Sequence, residues 1–346
     1  PLSVSYAFGM ALNGANGSTY DAIRNVLELQ GLTEDQINQS FKSLMLLLMQ
    51  LDDKVIFEIA NSIWYDDTFP VLKSFIDINK EYFDAEVTAL DFADPAAVDI
   101  INGWVSDKTH EKIKEVLDKI PADAVMYLIN AIYFKATWLY EFDKAYTTQE
   151  NFYTEDQGTK KCQMMRTTAD LNYYFDENFS AVTLPYGNEF YNMTIILPNT
   201  QTSIKDFITT FDLSSWQTLL NNMAVGKGTV ELPKFISEYK LIMNDALIKM
   251  GMGIAFSGDA DFSRIVEAFS IFISRVIHQT FVQVDEEGTE AAAVTIIEFK
   301  IISAPGGTPE LDFVIRLDRP FYFIIHEKNS STILFMGKIG LPEWKE

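Results

Sequence analysis

The sequence predicts an α+β fold organised as one large domain. Segments with apolar residues at helical spacing alternate with runs of branched and aromatic residues, which favour strands. Hydrophobic residues make up 48% of the 346 residues and aromatic residues 13%, enough for an extensive core. The length by itself would suggest about two domains. Because no linker-like stretch and no internal repeat divides the chain, we expect a single domain over residues 1–346.

The first half of the chain is predicted to hold most of the helices. Ser3 is a good N-cap for a buried helix that ends near Asn13 and Gly14. A capping box at Thr33 precedes another helix. After the first helix, helices are expected over residues 20–29, 37–49, 72–83 and 97–120. Strands are expected over residues 55–64, 86–92 and 126–138. The last of these runs is long and apolar, as in a central strand covered on both faces.

The second half is predicted to contain the strands that lead into and out of an acidic segment. A helix is expected over residues 241–250. Residues 273–279 enter the strand that ends at the acidic segment, and residues 318–325 and 331–337 form two core strands.

Charge and cysteine content exclude several classes of partner. The formal net charge is -22 and the isoelectric point is near 4.5. Binding to nucleic acid, to heparin-like polyanions or to an anionic membrane surface is therefore disfavoured. Cys162 is the single cysteine, so no intrachain disulfide can form. No apolar run reaches the ~20 residues that a transmembrane helix needs, so we predict no transmembrane segment.

Motifs of common enzyme classes are missing from the sequence. The chain has no Gly-x-Ser-x-Gly elbow, no His-Glu-x-x-His zinc motif and no phosphate-binding loop. We therefore expect no enzymatic activity, no cofactor and no metal site.

Residues 284–295 have no settled local preference. The acidic run Asp285-Glu286-Glu287 passes through Gly288 into Thr289-Glu290-Ala291-Ala292-Ala293 and the branched Val294-Thr295. Alanines favour helix, branched residues favour strand, and the glycine interrupts both. Small side chains would let such a peptide enter a sheet between two existing strands. The stretch therefore predicts a loop that can also serve as a strand.

This stretch resembles the hinge of the reactive-centre loop in the serpin family of serine protease inhibitors. The resemblance is carried by Glu286-Glu287-Gly288-Thr289-Glu290-Ala291-Ala292-Ala293. A second signature is Asn130-Ala131-Ile132-Tyr133-Phe134-Lys135-Ala136-x-Trp138. Further similar blocks follow in serpin order as far as residue 342. The chain is therefore identified as a member of the family, of an inhibitory, prokaryotic type.

The resemblance implies the serpin fold. This fold has a large central mixed β-sheet, smaller sheets, about eight helices and an exposed reactive-centre loop, here at about residues 286–317. Relative to the family pattern, the chain lacks the usual N-terminal helix.

The resemblance also assigns residues to four sites. The hinge comprises Glu286, Glu287, Gly288, Thr289, Glu290, Ala291, Ala292, Ala293, Val294 and Thr295. The shutter, a polar cluster where the strands of the central sheet part, comprises Ser3, Asn130 and His278. Trp138 is assigned to the breach. Family spacing counted from Gly288 places the cleaved bond between Ile302 and Ser303. Lys300 and Phe299 stay open as alternatives, because residues 303–320 form a tract a few residues longer than usual.

The implied function is inhibition of serine proteases by a suicide-substrate mechanism. The target, a serine protease or alternatively a cysteine protease, would cleave the loop and remain bound as a covalent acyl-enzyme while the loop inserts into the sheet. Ile302 suits elastase-like or subtilisin-like targets, whereas Lys300 would suit trypsin-like and Phe299 chymotrypsin-like ones. We expect a metastable monomer, secreted or at the cell surface. The alternative is a non-inhibitory serpin that acts as a carrier, chaperone or storage protein, although the uninterrupted alanine run favours inhibition.

Overall fold

The computed structural model of the protein describes residues 2–289 and 311–344, and it confirms the α+β class. The α-helices in these residues are α1 (Leu2–Gly14), α2 (Gly17–Val26), α3 (Glu34–Gln50), α4 (Lys73–Phe83), α5 (Ala96–Lys108), α6 (Ile204–Thr210), α7 (Leu213–Asn221) and α8 (Asn244–Leu247). The strands are β1 (Val55–Asp66), β2 (Glu86–Leu90), β3 (Met126–Thr137), β4 (Thr148–Tyr153), β5 (Thr159–Phe175), β6 (Phe179–Tyr186), β7 (Tyr191–Pro198), β8 (Ala224–Pro233), β9 (Phe235–Ile242), β10 (Ile277–Val284), β11 (Gly288–Thr289), β12 (Phe313–Arg316), β13 (Phe321–Glu327) and β14 (Ile333–Ile339).

The strands in the described residues form two sheets. The first is six-stranded and mixed, with the order β2-β1-β3-β11-β10-β9. In it β1 and β2 are parallel, whereas β11 is antiparallel to both β3 and β10. The second has the order β12-β8-β5-β6-β7-β13-β14, and β4 also pairs with β5. Because the 17-residue β5 pairs with β4, β6 and β8, these strands belong to one eight-stranded sheet.

The chain forms two compact units, each assembled from separate segments. The first unit comprises Pro1–Leu51, Ile56–Tyr133 and Glu238–Phe281. The second comprises Asp52–Val55, Phe134–Ser237 and Val282–Glu346. The single-domain organisation over residues 1–346 stays a prediction.

In the first unit, α5 packs against one face of β3. The Trp64 and Trp104 rings meet edge to face, with their centroids 6.1 Å apart, in a cluster that includes Ala131. Partly buried residues of β3 and β10 join this cluster, among them Tyr127, Ile129, Ile277 and Phe281. On each strand these are odd-numbered positions, as the alternation of side chains along a strand requires. The even-numbered positions therefore point to the other face.

In the second unit, α6 and α7 cover the sheet strands β6, β7 and β13. Their hydrophobic cluster comprises Ala181, Ile196, Ile204, Phe207, Trp216, Leu219 and Ile324. Neither helix is predicted from the sequence, although each begins with a recognisable cap. The Ser203 side chain accepts a hydrogen bond from the Asp206 amide, and the Asp212 side chain accepts one from the Ser215 amide.

The predicted helix over residues 97–120 is correct only as far as Lys108. His110 and Glu111 both have positive φ, which interrupts the helix. The apolar residues beyond Lys108 are buried nevertheless. Their backbone groups, which a helix would pair, form hydrogen bonds with the Asn102 side chain instead. It accepts from the amides of Val116 and Leu117 at 2.9 Å each, and it donates to the Leu117 carbonyl at 2.8 Å.

Further expectations need correction. Helix α1 begins at Leu2, which is buried, so Ser3 lies in its first turn and is not the N-cap. The predicted helix over residues 241–250 begins only at Asn244, because β9 extends to Ile242. Helix α8 then continues as a π-helix over Ile248–Met252, in which Gly251 adopts φ 116°.

Two strands also differ from their predictions. Residues 313–316, expected within the loop, form β12, because Phe313 and Ile315 on alternate positions are buried against the sheet. The first half of β3 is half-buried rather than covered on both faces. Among the described residues, β3 pairs with β11 only through Gly288 and Thr289.

Candidate functional site

The predicted hinge, which begins at Glu286, overlaps a tight turn, Asp285–Gly288, which we call the hinge turn. It joins β10 to β11 as a hairpin, with Val284 opposite Thr289. The Asp285 side chain accepts hydrogen bonds from the amides of Glu287 at 3.0 Å and Gly288 at 3.3 Å, and the Asp285 amide donates to the Gly288 carbonyl at 3.0 Å. Aspartate and glycine favour this kind of turn. Burial raises the pKa of Asp285, although the two amide hydrogen bonds act against that shift.

Every carbonyl of residues 285–287 is bound by a donor from the segment that follows β3. The Trp138 amide donates to the Glu287 carbonyl, and the Trp138 indole Nε1 donates to the Asp285 carbonyl, both at 2.9 Å. The Phe142 amide donates to the Glu286 carbonyl at 2.9 Å. Trp138 is itself buried and stacks on Tyr186, with ring centroids 4.3 Å apart. Trp138, assigned to the breach, therefore holds the hinge turn by two hydrogen bonds.

The carboxylates of Glu286 and Glu287 are paired as well. Lys234 Nζ lies 2.8 Å from Glu286 Oε2, and Thr147 donates to Glu286 Oε1 at 2.8 Å. Burial by itself would raise the pKa of Glu286, but the hydrogen bonds from Lys234 and Thr147 outweigh it and the pKa is lowered. Lys144 donates to Glu287, and this hydrogen bond raises the pKa of Lys144. The hinge turn is thus fixed through its side chains as well as its backbone.

Gly288 and Thr289 already belong to the sheet. Gly288 lies opposite Thr137 and Thr289 opposite Ala136. A Cβ atom on Gly288 would lie 1.9 Å from the Ala136 carbonyl oxygen, so only glycine permits this approach. Thr289 is 3% exposed, and its hydroxyl hydrogen bonds to the Tyr186 hydroxyl. At Gly288, the predicted requirement for a small residue therefore has a steric cause.

The predicted shutter residues all lie in the first unit, but no hydrogen bond joins Ser3, Asn130 and His278 to one another within the described residues. Asn130 instead donates to Asn61 Oδ1 at 2.9 Å. Its own Oδ1 is buried and finds no hydrogen-bond partner in the described part of the chain. His278 is buried, and burial lowers its pKa to about 4, so the imidazole is neutral near pH 7.

Several predicted site residues lie outside the described residues. They are Glu290, Ala291, Ala292, Ala293, Val294, Thr295, Phe299, Lys300, Ile302 and Ser303. Over residues 2–289 and 311–344, no group of three or more histidine, cysteine, aspartate or glutamate side chains is placed to hold a metal ion. No helix in the same ranges is long and apolar enough to cross a membrane.

Most partners of the hinge turn are not predicted from the sequence. The turn itself could have been recognised at Asp285, since an aspartate three residues before a glycine is a turn signal. Lys144, Thr147, Phe142 and Lys234 carry no local signal, because they come from distant segments that only the folded chain brings to this turn.

Comparison with known proteins identifies the family. Residues 1–342 match the family model of Serpin (serine protease inhibitor). A serpin-like protein of Methanosarcina acetivorans is 36% identical over all of this chain and 82% of its own length. The chain therefore belongs to the serpin family, whose description is that of protease inhibitors rather than catalysts.

Solved serpin structures have the same fold. The native state of tengpin, a thermophilic serpin, aligns with a TM-score of 0.88 and 31% identity, covering 99% of this chain and 87% of tengpin. Thyroxine-binding globulin in complex with thyroxine aligns with a TM-score of 0.87 and 26% identity, covering 99% of this chain and 91% of that protein. Among the described residues, the eight α-helices and the mixed sheet agree with the serpin fold predicted from sequence.

Proposed function

We propose that this protein is a suicide-substrate inhibitor of serine proteases. The observation that carries the proposal is the hinge turn, which is fixed at every carbonyl of residues 285–287 and directs Gly288 and Thr289 between β3 and β10. The first two residues of an additional strand are thus already paired on both sides. Insertion would then need only to continue an existing register.

The two registers identify which residues would meet during insertion. If the pairing of Thr289 with Ala136 continues, residues 290–299 would pair with residues 135–126 of β3. Residues 288–299 would extend about 40 Å at ~3.3 Å per residue. On the other side, continuation of the Val284–Thr289 pair reaches Ile277 opposite residue 296. Residues 288–299 could therefore form a full-length central strand between β3 and β10 without any change of register.

If both registers continued during insertion, Thr295 would reach the predicted shutter. It would then lie opposite Asn130 on β3 and opposite His278 on β10. It would share the face of Thr289 with these two residues, since each lies an even number of residues from a position already paired. The Thr295 hydroxyl would supply a donor for the unpartnered Asn130 Oδ1. Insertion would thereby satisfy a buried acceptor whose lack of a partner costs roughly 1–3 kcal/mol.

The chemistry before insertion is that of an ordinary protease substrate. The serine oxygen of the target attacks the carbonyl carbon of Ile302 and forms an ester. The amine of Ser303 leaves with a proton from the protease histidine. Insertion of the released strand then carries the acylated protease along and distorts its active site before water can hydrolyse the ester. A metastable uncleaved state, held by a kinetic barrier, supplies the driving force.

Target preference depends on the residue before the cleaved bond. With Ile302 in this position, elastase-like or subtilisin-like serine proteases are the proposed targets; Lys300 and Phe299 remain the alternative positions, and a cysteine protease the alternative target class. We further propose that the inhibitor acts as a monomer, outside the cell or at its surface.

The test is to mix the protein with elastase and analyse the products by SDS gel and mass spectrometry. An SDS-stable complex and a released peptide that begins at Ser303 are expected. A peptide that begins at Ile301 or Lys300 would keep the mechanism but move the cleaved bond. Ile302→Arg is the matched variant, and it should transfer complex formation from elastase to trypsin. Cleavage without any complex, with elastase and with trypsin-like and chymotrypsin-like proteases, would refute inhibition.

A non-inhibitory carrier is the second candidate. The structural similarity to thyroxine-binding globulin, solved with thyroxine, favours it. The carrier hypothesis predicts that the intact protein binds a small apolar ligand and that proteases cleave the loop without being trapped. The same gel therefore separates the two functions.

A further inference from the structure

The lysine that pairs with the hinge glutamate is covered by an aromatic ring from the segment after β14. Lys234 Nζ lies 4.2 Å from the centroid of the Trp344 ring and 2.8 Å from Glu286 Oε2. The ammonium group thus contacts a carboxylate and an aromatic face at the same time. Its side chain is only 16% exposed, and that of Glu286 only 5%.

Trp344 is held in this position by backbone pairing. The Ile236 amide donates to the Glu343 carbonyl at 2.7 Å, and Ile236 and Glu343 form an isolated antiparallel bridge. Lys234 is fixed from its own side, because its amide donates to the Gln163 carbonyl at 2.8 Å. Both partners of the cation–π contact are therefore positioned by backbone hydrogen bonds in addition to the contact itself.

This arrangement strengthens the Lys234–Glu286 pair. An ion pair in water contributes little, because solvent screens it and because flexible side chains must be ordered. The Trp344 ring attracts the ammonium group and limits its access to water, so the pair is screened less. Glu286 in turn fixes the hinge turn, whose carbonyl at this residue binds the Phe142 amide.

Trp344 lies two residues beyond the last position matched by the family model, which ends at residue 342. We propose that Trp344 is a positioning residue for the hinge. It acts through Lys234 to keep the Lys234–Glu286 ion pair intact while the loop inserts. The expected effect of Trp344 on protease trapping rests on the proposed inhibitory function, whereas its expected effect on the hinge turn does not. During insertion, a loosened hinge turn would give the protease more time to hydrolyse the ester and escape.

The structural consequence is tested in the uncleaved protein by hydrogen exchange. In Trp344→Ala, the amide of Phe142 should exchange about tenfold faster than in the wild type, the size expected for loss of a partly desolvated cation–π contact. Trp344→Phe keeps an aromatic face and should restore most of the protection. In a Lys234→Met background, Trp344→Ala should cause no further change. An equal effect of Trp344→Ala with and without Lys234 would overturn the proposal, because the ring would then act independently of the lysine.

The kinetic consequence is tested by the fraction of elastase that is trapped at fixed inhibitor excess. Trp344→Ala should shift molecules from the trapped complex to the cleaved, free form, and Trp344→Phe should reverse this shift. If no variant and no wild-type molecule forms a complex while the exchange results hold, inhibition is refuted and the positioning role stands. If the wild type traps elastase but Trp344→Ala changes neither exchange nor trapping, the positioning role is refuted and inhibition stands.

Discussion

Replacement of Gly288 tests the hinge most directly. A Cβ atom at this position would lie 1.9 Å from the Ala136 carbonyl oxygen, roughly 1.4 Å closer than the ~3.3 Å at which carbon and oxygen normally meet. A shift of that size would break the bonds from the Asp285 amide to the Gly288 carbonyl and from the Trp138 amide to the Glu287 carbonyl. At about 0.5–1.5 kcal/mol each, their loss costs about 1–3 kcal/mol, or roughly a 5- to 150-fold smaller population of the docked hinge.

The assay measures how an acylated protease divides between trapping and release. For Gly288→Ala, and more strongly for Gly288→Val, we expect more inhibitor to be consumed per trapped protease and the cleaved, free form to accumulate. Hydrogen exchange at the Trp138 amide should rise in the uncleaved variants as well. This second measurement reports on the hinge turn whether or not the protein inhibits a protease.

Gly103→Ala is the matched control. It lies in α5, and a Cβ atom there would meet nothing within 4 Å. Alanine in a helix interior should stabilise the protein by up to about 1 kcal/mol and leave trapping unchanged. Wild-type trapping and wild-type exchange in Gly288→Ala would refute the reasoning, because the close approach to Ala136 would then not be required.

Two further variants test the first unit. His278→Gln should make the free energy of unfolding less sensitive to acid. Burial lowers the pKa of His278 to about 4 from 6.5, so folding keeps the imidazole neutral. Wild-type stability is therefore lost as pH falls from about 6.5 towards 4, by up to about 3 kcal/mol. Urea unfolding midpoints at pH 7.5 and 4.5 check this. Burial also lowers the pKa of His326 to about 4, so the variant should keep a residual acid dependence. A pH profile of His278→Gln equal to that of the wild type would contradict the role given to His278. Asn102→Ala should destabilise the protein by about 2–4 kcal/mol, since it leaves buried backbone groups of residues 116 and 117 unpaired. Urea unfolding of Asn102→Ala and of the companion variant Asn102→Asp checks this. A loss of stability below about 0.5 kcal/mol in Asn102→Ala would show that water replaces the side chain.

Local sequence rules predicted well wherever neighbours along the chain determine the structure. The capping box at Thr33 is present, with Gln36 as its partner, and β1, α4 and β3 have nearly the predicted bounds. In these segments the hydrophobic period and the caps lie within a few residues of one another, so a short window contains the whole signal.

The same rules were wrong where a distant group replaces a local hydrogen bond. Helix α5 ends at Lys108 although apolar residues continue at helical spacing as far as Leu117. Ile113, Val116 and Leu117 are nevertheless buried. Their helical spacing did not predict their backbone, because the Asn102 side chain accepts hydrogen bonds from amides that a helix would otherwise pair.

For the candidate site, the sequence by itself determined the residues that must be small. Gly288 and the alanines after it indicated a peptide able to enter a sheet, and the structure explains the glycine by its approach to Ala136. Only the tertiary structure decided what holds the hinge. Trp138, Lys234 and Trp344 are far from Glu286 in sequence, and a pairing between distant residues leaves no trace in local spacing. Steric limits act on one residue and can be recognised in it, whereas an ion pair or a ring contact exists only after the chain has folded.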